Sequence, residues 1–388
     1  MWFFRSPQIV FGEDALSYLD QISGKRAFIV TDPLMQELGF VKKVQARLGA
    51  AGIESMVFAE VEPESSLQTV EKCAGAMSAY EPDWIVGLGG GSCMDTAKAA
   101  WFRYERPDVE LEAINPLEHF GLREKARLVT IPTTAGSGSE VSQAALITDT
   151  GARRKLELAS YEFIADLTIV DPQFSAQMPP QLTADTGLDA LTHVIEAYNN
   201  NWTNDFSDGL CLQATRMIFD YLPRAVECGN TDPMAREKMA NAATLAGLAI
   251  CNSNISLAHA MGHGAGAVFH LPHGRVTALL LPYTIEFTAN GGAGRYQDLA
   301  GIIGLCTNGE SEAATQFAVA IRGLMRRIGQ PLSLKNLGIP RDIFDSELEA
   351  ICDRAEMDLG MVMARRMPYR GELERLFAYA YEGRAVDF

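Results

Sequence analysis

Four of the chain's six histidines, His259, His263, His270 and His273, fall within residues 239–274, a run without a single Asp, Glu, Lys or Arg. In a chain that is 21% charged such a run belongs in the interior, and a buried imidazole needs a hydrogen bond or a metal. A helix over residues 256–269 puts His259 and His263 on one face, with Ala258, Met261, Ala265 and Val268 as its packing stripe; Pro272 ends it and turns His273 back. Upstream, Asp189 and His193 are also four apart, a spacing that lets a carboxylate and an imidazole share one helix face and chelate one ion. Glu196 lies near the same face as a supporting carboxylate. Together with His259, His263 and His273 this makes four or five N and O donors and no thiolate, a set suited to Fe(II), Zn(II), Ni(II) or Co(II). Four protein ligands close a tetrahedral zinc site, whereas a metal that takes a fifth ligand still admits a substrate oxygen, which favours iron. His119 is read as solvent-facing and His270 as a polar helix end.

A second chemistry-bearing stretch is Gly87-Leu88-Gly89-Gly90-Gly91-Ser92-Cys93-Met94-Asp95, which follows a strand and opens a helix. Consecutive glycines let backbone approach a ligand closely, and the helix N-terminus favours an anion such as a pyrophosphate. Ser92 stands where G-x-G-x-x-G has its last glycine, and no G-K-[ST] follows, so neither common phosphate motif is matched. Without a ligand, Ser92 and Asp95 would form a capping box. A second loop, Pro132-Thr133-Thr134-Ala135-Gly136-Ser137-Gly138-Ser139-Glu140, also follows a strand, and two such loops at strand ends indicate a dinucleotide crevice. Asp32, after another strand, can accept from a ribose 2′-hydroxyl and repel a 2′-phosphate, or cap the helix after Pro33.

Two kinds of scaffold must position these groups. In the first half, strands over residues 27–31, 55–58, 84–88, 128–131 and 168–170 alternate with helices over 34–50, 66–79 and 93–104, the rhythm of a parallel sheet covered by helices. Past a proline-rich crossing at residues 171–180, helices follow over 184–198, 207–222, 233–250, 256–269, 312–328, 341–355 and 371–381. This predicts an α/β domain over residues 1–180 and an all-helical domain over 181–388. The four tryptophans and residues such as Met217 are read as core. The formal charge of −16 argues against nucleic acid or an anionic membrane as partner. Seven scattered cysteines without a C-x-x-C pair indicate neither a disulfide framework nor a thiolate zinc site, and fit the cytoplasm. The N-terminal apolar run is too short for a secretory signal, and the Asn, Ser and His in residues 239–274 oppose a membrane span.

Four blocks, GGGSCMDTAKA, PTTAGSGSEVS, TGLDALTHVIEAY and LAHAMGHGAGAVFHLPHG, make the sequence resemble the iron-containing (group III) alcohol dehydrogenases from about Pro7 to the C-terminal helix. The resemblance implies a dehydroquinate synthase-like architecture, with a dinucleotide-binding α/β domain, a helical domain and a cleft holding NAD(P) and a divalent metal. At matching positions it implies Asp189, His193, His259 and His273 as metal ligands and His263 as a nearby non-ligand. Coenzyme contacts would fall on Asp32, Gly90, Gly91, Ser92, Asp95, Thr133, Thr134, Ser137, Lys155 and Leu182, with Asp32 favouring NAD(H) over NADP(H). The sequence departs from the family at Pro63-Glu64-Ser65, where many members read Pro-Asn-Pro, at Tyr283, where many have a second His, and at Arg366-Met367-Pro368.

The expected reaction is reversible hydride transfer between NAD(H) and an alcohol or aldehyde, with His263 relaying the proton. The alternative is a lyase of the dehydroquinate synthase type, which needs several cleft Lys and Arg, whereas Arg275 is the main cation near the ligand blocks. A hydrolase without coenzyme leaves both glycine-containing loops unused. Family members are commonly dimers or larger, and an apolar strand near Ile9–Phe11 is the place for pairing across an interface.

Overall fold

The computed structural model describes residues 3–151 and 154–388. The chain divides into two compact units, one of Arg5–Gln177 and one of Met178–Phe388 together with Phe3 and Phe4. The first carries strands β1 (Gln8–Phe11), β2 (Arg26–Val30), β3 (Glu54–Phe58), β4 (Trp84–Gly89), β5 (Arg127–Pro132), β6 (Ala144–Asp149), β7 (Arg154–Ala159) and β8 (Leu167–Val170). Its helices are α1 (Pro33–Glu37), α2 (Phe40–Ala50), α3 (Leu67–Tyr80) and α4 (Gly91–Glu105).

Six of these strands pair in parallel in the order β1-β8-β5-β4-β2-β3. Parallel strands covered on both faces are apolar throughout rather than alternating, and β4 is buried at every residue. Phe28, Val30, Ile85 and Leu128 pack with Val70, Met77 and Trp101 of α3 and α4. Ala27, Ile29, Val86 and Val129 point the other way, into a core with Val41, Val44 and Leu48 of α2. From β2 the chain moves to β3 on one side, and from β4 to β5 on the other. The carboxyl ends of β2 and β4 therefore flank the switch point where open α/β sheets bind ligands.

The second unit is helical: α5 (Pro180–Asn199), α6 (Asp205–Cys228), α7 (Pro233–Cys251), α8 (Leu257–Phe269), α9 (His273–Asn290), α10 (Gln297–Ile302), α11 (Glu310–Arg327), α12 (Arg341–Glu356), α13 (Leu359–Met363) and α14 (Arg370–Glu382). Pro180 starts α5, and the helix is buried along nearly its whole length from Thr183. Glycine lets α9 sit close to its neighbours. A Cβ at Gly274 would lie 2.5 Å from the Asp185 carbonyl oxygen and 2.8 Å from Asp189 Cβ, and one at Gly262 would lie 2.5 Å from Thr277 Cγ2. No helix among the described residues is long and apolar enough to cross a membrane.

Several elements differ from the sequence expectation. The helix expected over 34–50 is two helices, because Gly39 takes a left-handed φ of 76°. The antiparallel β6–β7 hairpin and helix α9 were not anticipated. The strand near Ile9 pairs in parallel with β8 of its own chain and forms one border of the sheet. Of the tryptophans read as core, Trp84 and Trp101 are buried, but Trp202, in the turn after α5, is 46% exposed. Trp2 lies outside the described residues.

Candidate functional site

Helix α5 brings Asp189, His193 and Glu196 to one face at spacings of four and three, and all three are buried. Helix α8 carries His259, and His273 is the first residue of α9. The ligand-capable atoms of Asp189, His193 and His259 lie within 4.8 Å of one another. Asp189 Oδ1 is the common point: the Nε2 atoms of His273, His259 and His193 stand 3.5, 3.7 and 4.0 Å from it. Those separations are too long for hydrogen bonds. Donor atoms about 2.1 Å from a tetrahedral ion are roughly 3.4 Å apart, close to what is seen. His259 Nε2 is fully buried without a hydrogen-bond partner, which a metal ion would supply. These residues fit a divalent cation. His273 is the open member, with 45% of its side chain exposed.

The supporting groups are equally specific. Glu196 Oε2 is 2.6 Å from His259 Nδ1, and Asp358 Oδ2 is 2.6 Å from His263 Nδ1. The His263 ring stacks on His273 at 5.1 Å between centroids, and His193 stacks on His259 at 4.8 Å. Burial alone would raise the Asp189 carboxyl, but the His193 and His273 imidazoles outweigh it and hold it well below the usual carboxylate range. Burial alone would lower His259; the Glu196 and Asp189 carboxylates reverse this and raise it to about 10. Arg275 is held by Asp185 in a two-point ion pair at 3.0 and 2.8 Å. His119 is 84% exposed. His270 ends α8 in the left-handed region, with φ 52°.

In the α/β unit the two loops meet. Thr133 N donates to the Gly89 carbonyl at 2.9 Å. A Cβ on Gly90 would stand 3.5 Å from Thr134 Cγ2, and one on Gly91 3.4 Å from Ser137 Oγ. Gly89 has φ 148°, and a Cβ there would come within 2.5 Å of Cys93 Sγ, so this position requires glycine. Gly90 is the N-cap of α4 and offers no side-chain cap, leaving first-turn N–H groups for an anion. The alternative considered for this stretch, a Ser92/Asp95 capping box, does not form, because the helix begins before Ser92. Ser92 Oγ instead accepts from Glu64 N at 3.3 Å. Asp95 accepts from Ser139 Oγ at 2.5 Å and Leu146 N at 3.1 Å. Asp32 is the helix cap considered for it, its Oδ1 accepting from Met35 N at 3.0 Å, while Oδ2 accepts from the Cys93 thiol at 3.4 Å. Lys155 Nζ lies 2.9 Å from Thr148 Oγ1 and 3.1 Å from Glu64 Oε2. Leu182 sits in the first turn of α5, in the helical unit, and is 40% exposed.

Comparison with known proteins agrees over both units. Residues 6–172 match the family model for iron-containing alcohol dehydrogenase, and residues 183–381 match that for the C-terminal region of the same family. The chain belongs to the iron-containing alcohol dehydrogenase family. It is an NAD(P)-dependent oxidoreductase of the alcohol and aldehyde type, and the lyase reading falls away. An NADPH-dependent butanol dehydrogenase of Clostridium saccharobutylicum is 38% identical over the full length of both chains. Aldehyde-alcohol dehydrogenase 2 of Entamoeba histolytica is 35% identical over 98% of this chain but only 46% of its own length, so the chain spans about half of that relative. The solved structure of an iron-containing alcohol dehydrogenase from Thermococcus thioreducens superposes with a TM-score of 0.89 at 30% identity, covering 99% of this chain and all of the other.

Two of the departures noted in the sequence, Tyr283 and Arg366, make structural contacts. Tyr283 is buried and donates to the Leu332 carbonyl at 2.6 Å. Arg366 donates to the Phe287 carbonyl and pairs with Glu372. Glu64 takes a left-handed φ of 57°. Sequence reasoning missed Asp358, the partner of His263, and Lys98. The latter is fully buried on α4 and donates to the carbonyls of Ser139, Ser142 and Ala144 at 2.7, 3.0 and 2.8 Å. A lone lysine among the apolar residues of that helix was the available signal.

Proposed function

We propose that Asp189, His193, His259 and His273 hold one divalent metal, Fe(II) in preference to Zn(II), at which a primary alcohol and its aldehyde are interconverted with NAD(H). The observation that carries this is the convergence of three imidazole Nε2 atoms on Asp189 Oδ1. When bound, the metal supplies Lewis-acid polarisation of the substrate oxygen. His263 is the proton relay: Asp358 retains the proton at Nδ1, so Nε2 is the atom that exchanges one with substrate. Its side chain is 29% exposed, which gives it access to solvent protons.

On the coenzyme side, the α4 N-terminus and Gly90, Gly91 and Ser92 take the diphosphate, while Thr133, Thr134 and Ser137 line the facing loop. Asp95 acts by holding that loop, since both carboxylate oxygens already accept from Ser139 and Leu146. Lys155 completes the contacts on this unit. The Asp32 carboxylate at the switch point supports NAD(H), because it accepts from a 2′-hydroxyl and repels a 2′-phosphate. The butanol dehydrogenase relative is named as NADPH-dependent, and the ratio of NADH to NADPH turnover distinguishes the two coenzymes.

The test is a panel of primary alcohols, diols, hydroxy acids and aldehydes, assayed with both coenzymes on protein reconstituted with Fe(II) or Zn(II). The highest kcat/KM is expected for a primary alcohol or aldehyde with NAD(H) and Fe(II). Turnover of none of them above background would overturn the proposal. Asp32→Ser keeps a helix-capping oxygen while removing the charge. It should raise NADPH use relative to NADH at least roughly tenfold, the factor that about 1.4 kcal/mol of removed repulsion corresponds to; an unchanged ratio would show that Asp32 does not select the coenzyme.

A further inference from the structure

Helix α8 starts without a side-chain cap of its own, since Ser256 makes no such bond. The orphan N–H groups of a buried helix start must be satisfied from elsewhere. Here they are satisfied by a residue of another helix. Glu196 of α5, itself buried, accepts from Ser256 N at 2.8 Å through Oε2 and from Ala258 N at 2.5 Å through Oε1. The same Oε2 receives His259 Nδ1 at 2.6 Å. One carboxylate thus fixes both the backbone that carries His259 and the ring itself.

We infer that Glu196 is the positioning residue for His259. By accepting a hydrogen bond from Nδ1–H it keeps that proton on the ring and leaves Nε2 as the ligand atom facing Asp189, and by capping α8 it sets the ring's distance from the α5 ligands. This rests on the proposal that His259 binds the metal. The alternative is that Glu196 is only a helix cap, with the contact to the imidazole incidental. Geometry argues against that: Nδ1 is the nearer of the two ring nitrogens to a carboxylate, at 2.6 Å against 3.7 Å for Nε2 from Asp189. A histidine held by a carboxylate in this way is a better-oriented and more basic ligand, and loss of such a partner typically weakens metal binding 10–100-fold.

The experiment is a double-mutant cycle on the full-length, metal-stripped chain, with Zn(II) affinity read by competition with a chelator. The variants are Glu196→Gln, His259→Ala and the pair, and the thermal midpoint of each metal-free protein is measured alongside. Glu196→Gln is expected to weaken Zn(II) binding about 10–100-fold in the wild-type background and by less than about twofold once His259 is already Ala. Its effect on the metal-free midpoint, which comes from the cap, should persist in both backgrounds. A loss of affinity that is equal in the two backgrounds, or no loss in the first, overturns the inference. Unchanged affinity in His259→Ala would instead sink the metal-site proposal beneath it. Should Glu196→Gln fail to fold, nitrogen-15 histidine NMR of the Zn(II)-loaded wild type decides the matter. A protonated, pyrrole-type Nδ1 on His259 is expected, and an unprotonated Nδ1 overturns the inference.

Discussion

Replacing Gly262 by Ala tests how tightly the helical unit sets its donor spacing. The added Cβ would lie 2.5 Å from Thr277 Cγ2 and 3.1 Å from Thr277 Cα, against about 3.5–4.0 Å for relaxed carbon contacts. Rotating Thr277 away is hindered, because its hydroxyl is held by the carbonyls of His273 and Gly274 at 3.2 and 3.3 Å. Helices α8 and α9 must therefore separate by roughly 0.5–1 Å, the shortfall at the backbone atom. Overpacking of this kind costs about 1–3 kcal/mol, while Gly to Ala in a helix returns about 1 kcal/mol, leaving a net loss of about 0–2 kcal/mol. The effect on the metal is larger in proportion, because α8 carries His259 and α9 begins with His273. A shift of that size exceeds the roughly 0.2 Å tolerance of a metal site, so Zn(II) affinity should fall at least about tenfold. Gly209 in α6 and Gly323 in α11 have open space where a Cβ would go. The same substitution there should stabilise by about 0.5–1 kcal/mol and leave Zn(II) affinity unchanged. Thermal midpoints and chelator competition read both quantities. If Gly262→Ala kept wild-type affinity, or stabilised the chain as the two controls do, the claim of a closely set site would be wrong.

Lys98→Met would strip the donor from three carbonyls, that of Ser139 buried and those of Ser142 and Ala144 half-buried, at about 1–3 kcal/mol for the buried one and less for the others, with part returned by no longer burying a charge. The expected loss is about 1–3 kcal/mol in denaturant unfolding, together with weaker NADH binding as the Thr133–Ser137 segment loosens; unchanged stability would refute it. The raised pKa of His259 predicts opposite pH trends for the metal-free protein and for metal uptake. The folded pKa of about 10 lies above the unfolded value near 6.5. Its contribution to metal-free stability is therefore complete below about pH 6.5 and is lost as pH rises through about 10. Because the metal must displace that proton from Nε2, apparent Zn(II) affinity should rise by up to about tenfold per pH unit in the same window. Thermal midpoints and chelator titrations between about pH 6.5 and 8.5 check both, and affinity independent of pH would contradict the assignment. His263→Ala should leave Zn(II) affinity within a few-fold while lowering kcat by about 10²–10⁴. Full turnover across pH in that variant would remove the relay role.

Much of the scaffold was legible because burial writes itself into sequence periodicity. The i, i+4 spacing of Asp189 and His193 needed only a helix to become a shared face, and the apolar run of β4 identified a strand. What escaped depends on contacts distant in sequence or on local signals that conflict. Helix α9 was hidden by Pro272, read only as a terminator, and by Pro282, which lies inside the helix. Pro272 in fact precedes the first turn, leaving His273 at its start. The β6–β7 hairpin consists of two short strands with a charged, half-exposed face, a pattern easily taken for loop. Ser92 and Asp95 had the spacing of a cap, but Gly90 begins the helix and Ser139 claims the Asp95 carboxylate. Asp358 stands 95 residues from His263, and no local pattern connects the two.

The central claim is that this chain moves a hydride between a nicotinamide and a carbonyl carbon in dependence on the Asp189 metal cluster. It is tested most directly by supplying NADH deuterated at the transferred C4 position, with a primary aldehyde, to Fe(II)-reconstituted protein and to its Asp189→Asn variant. The account predicts alcohol carrying one deuterium at its carbinol carbon from the wild type, and little or none from the variant or from metal-stripped protein. Alcohol without the label, or equal turnover by the metal-stripped chain, would contradict it.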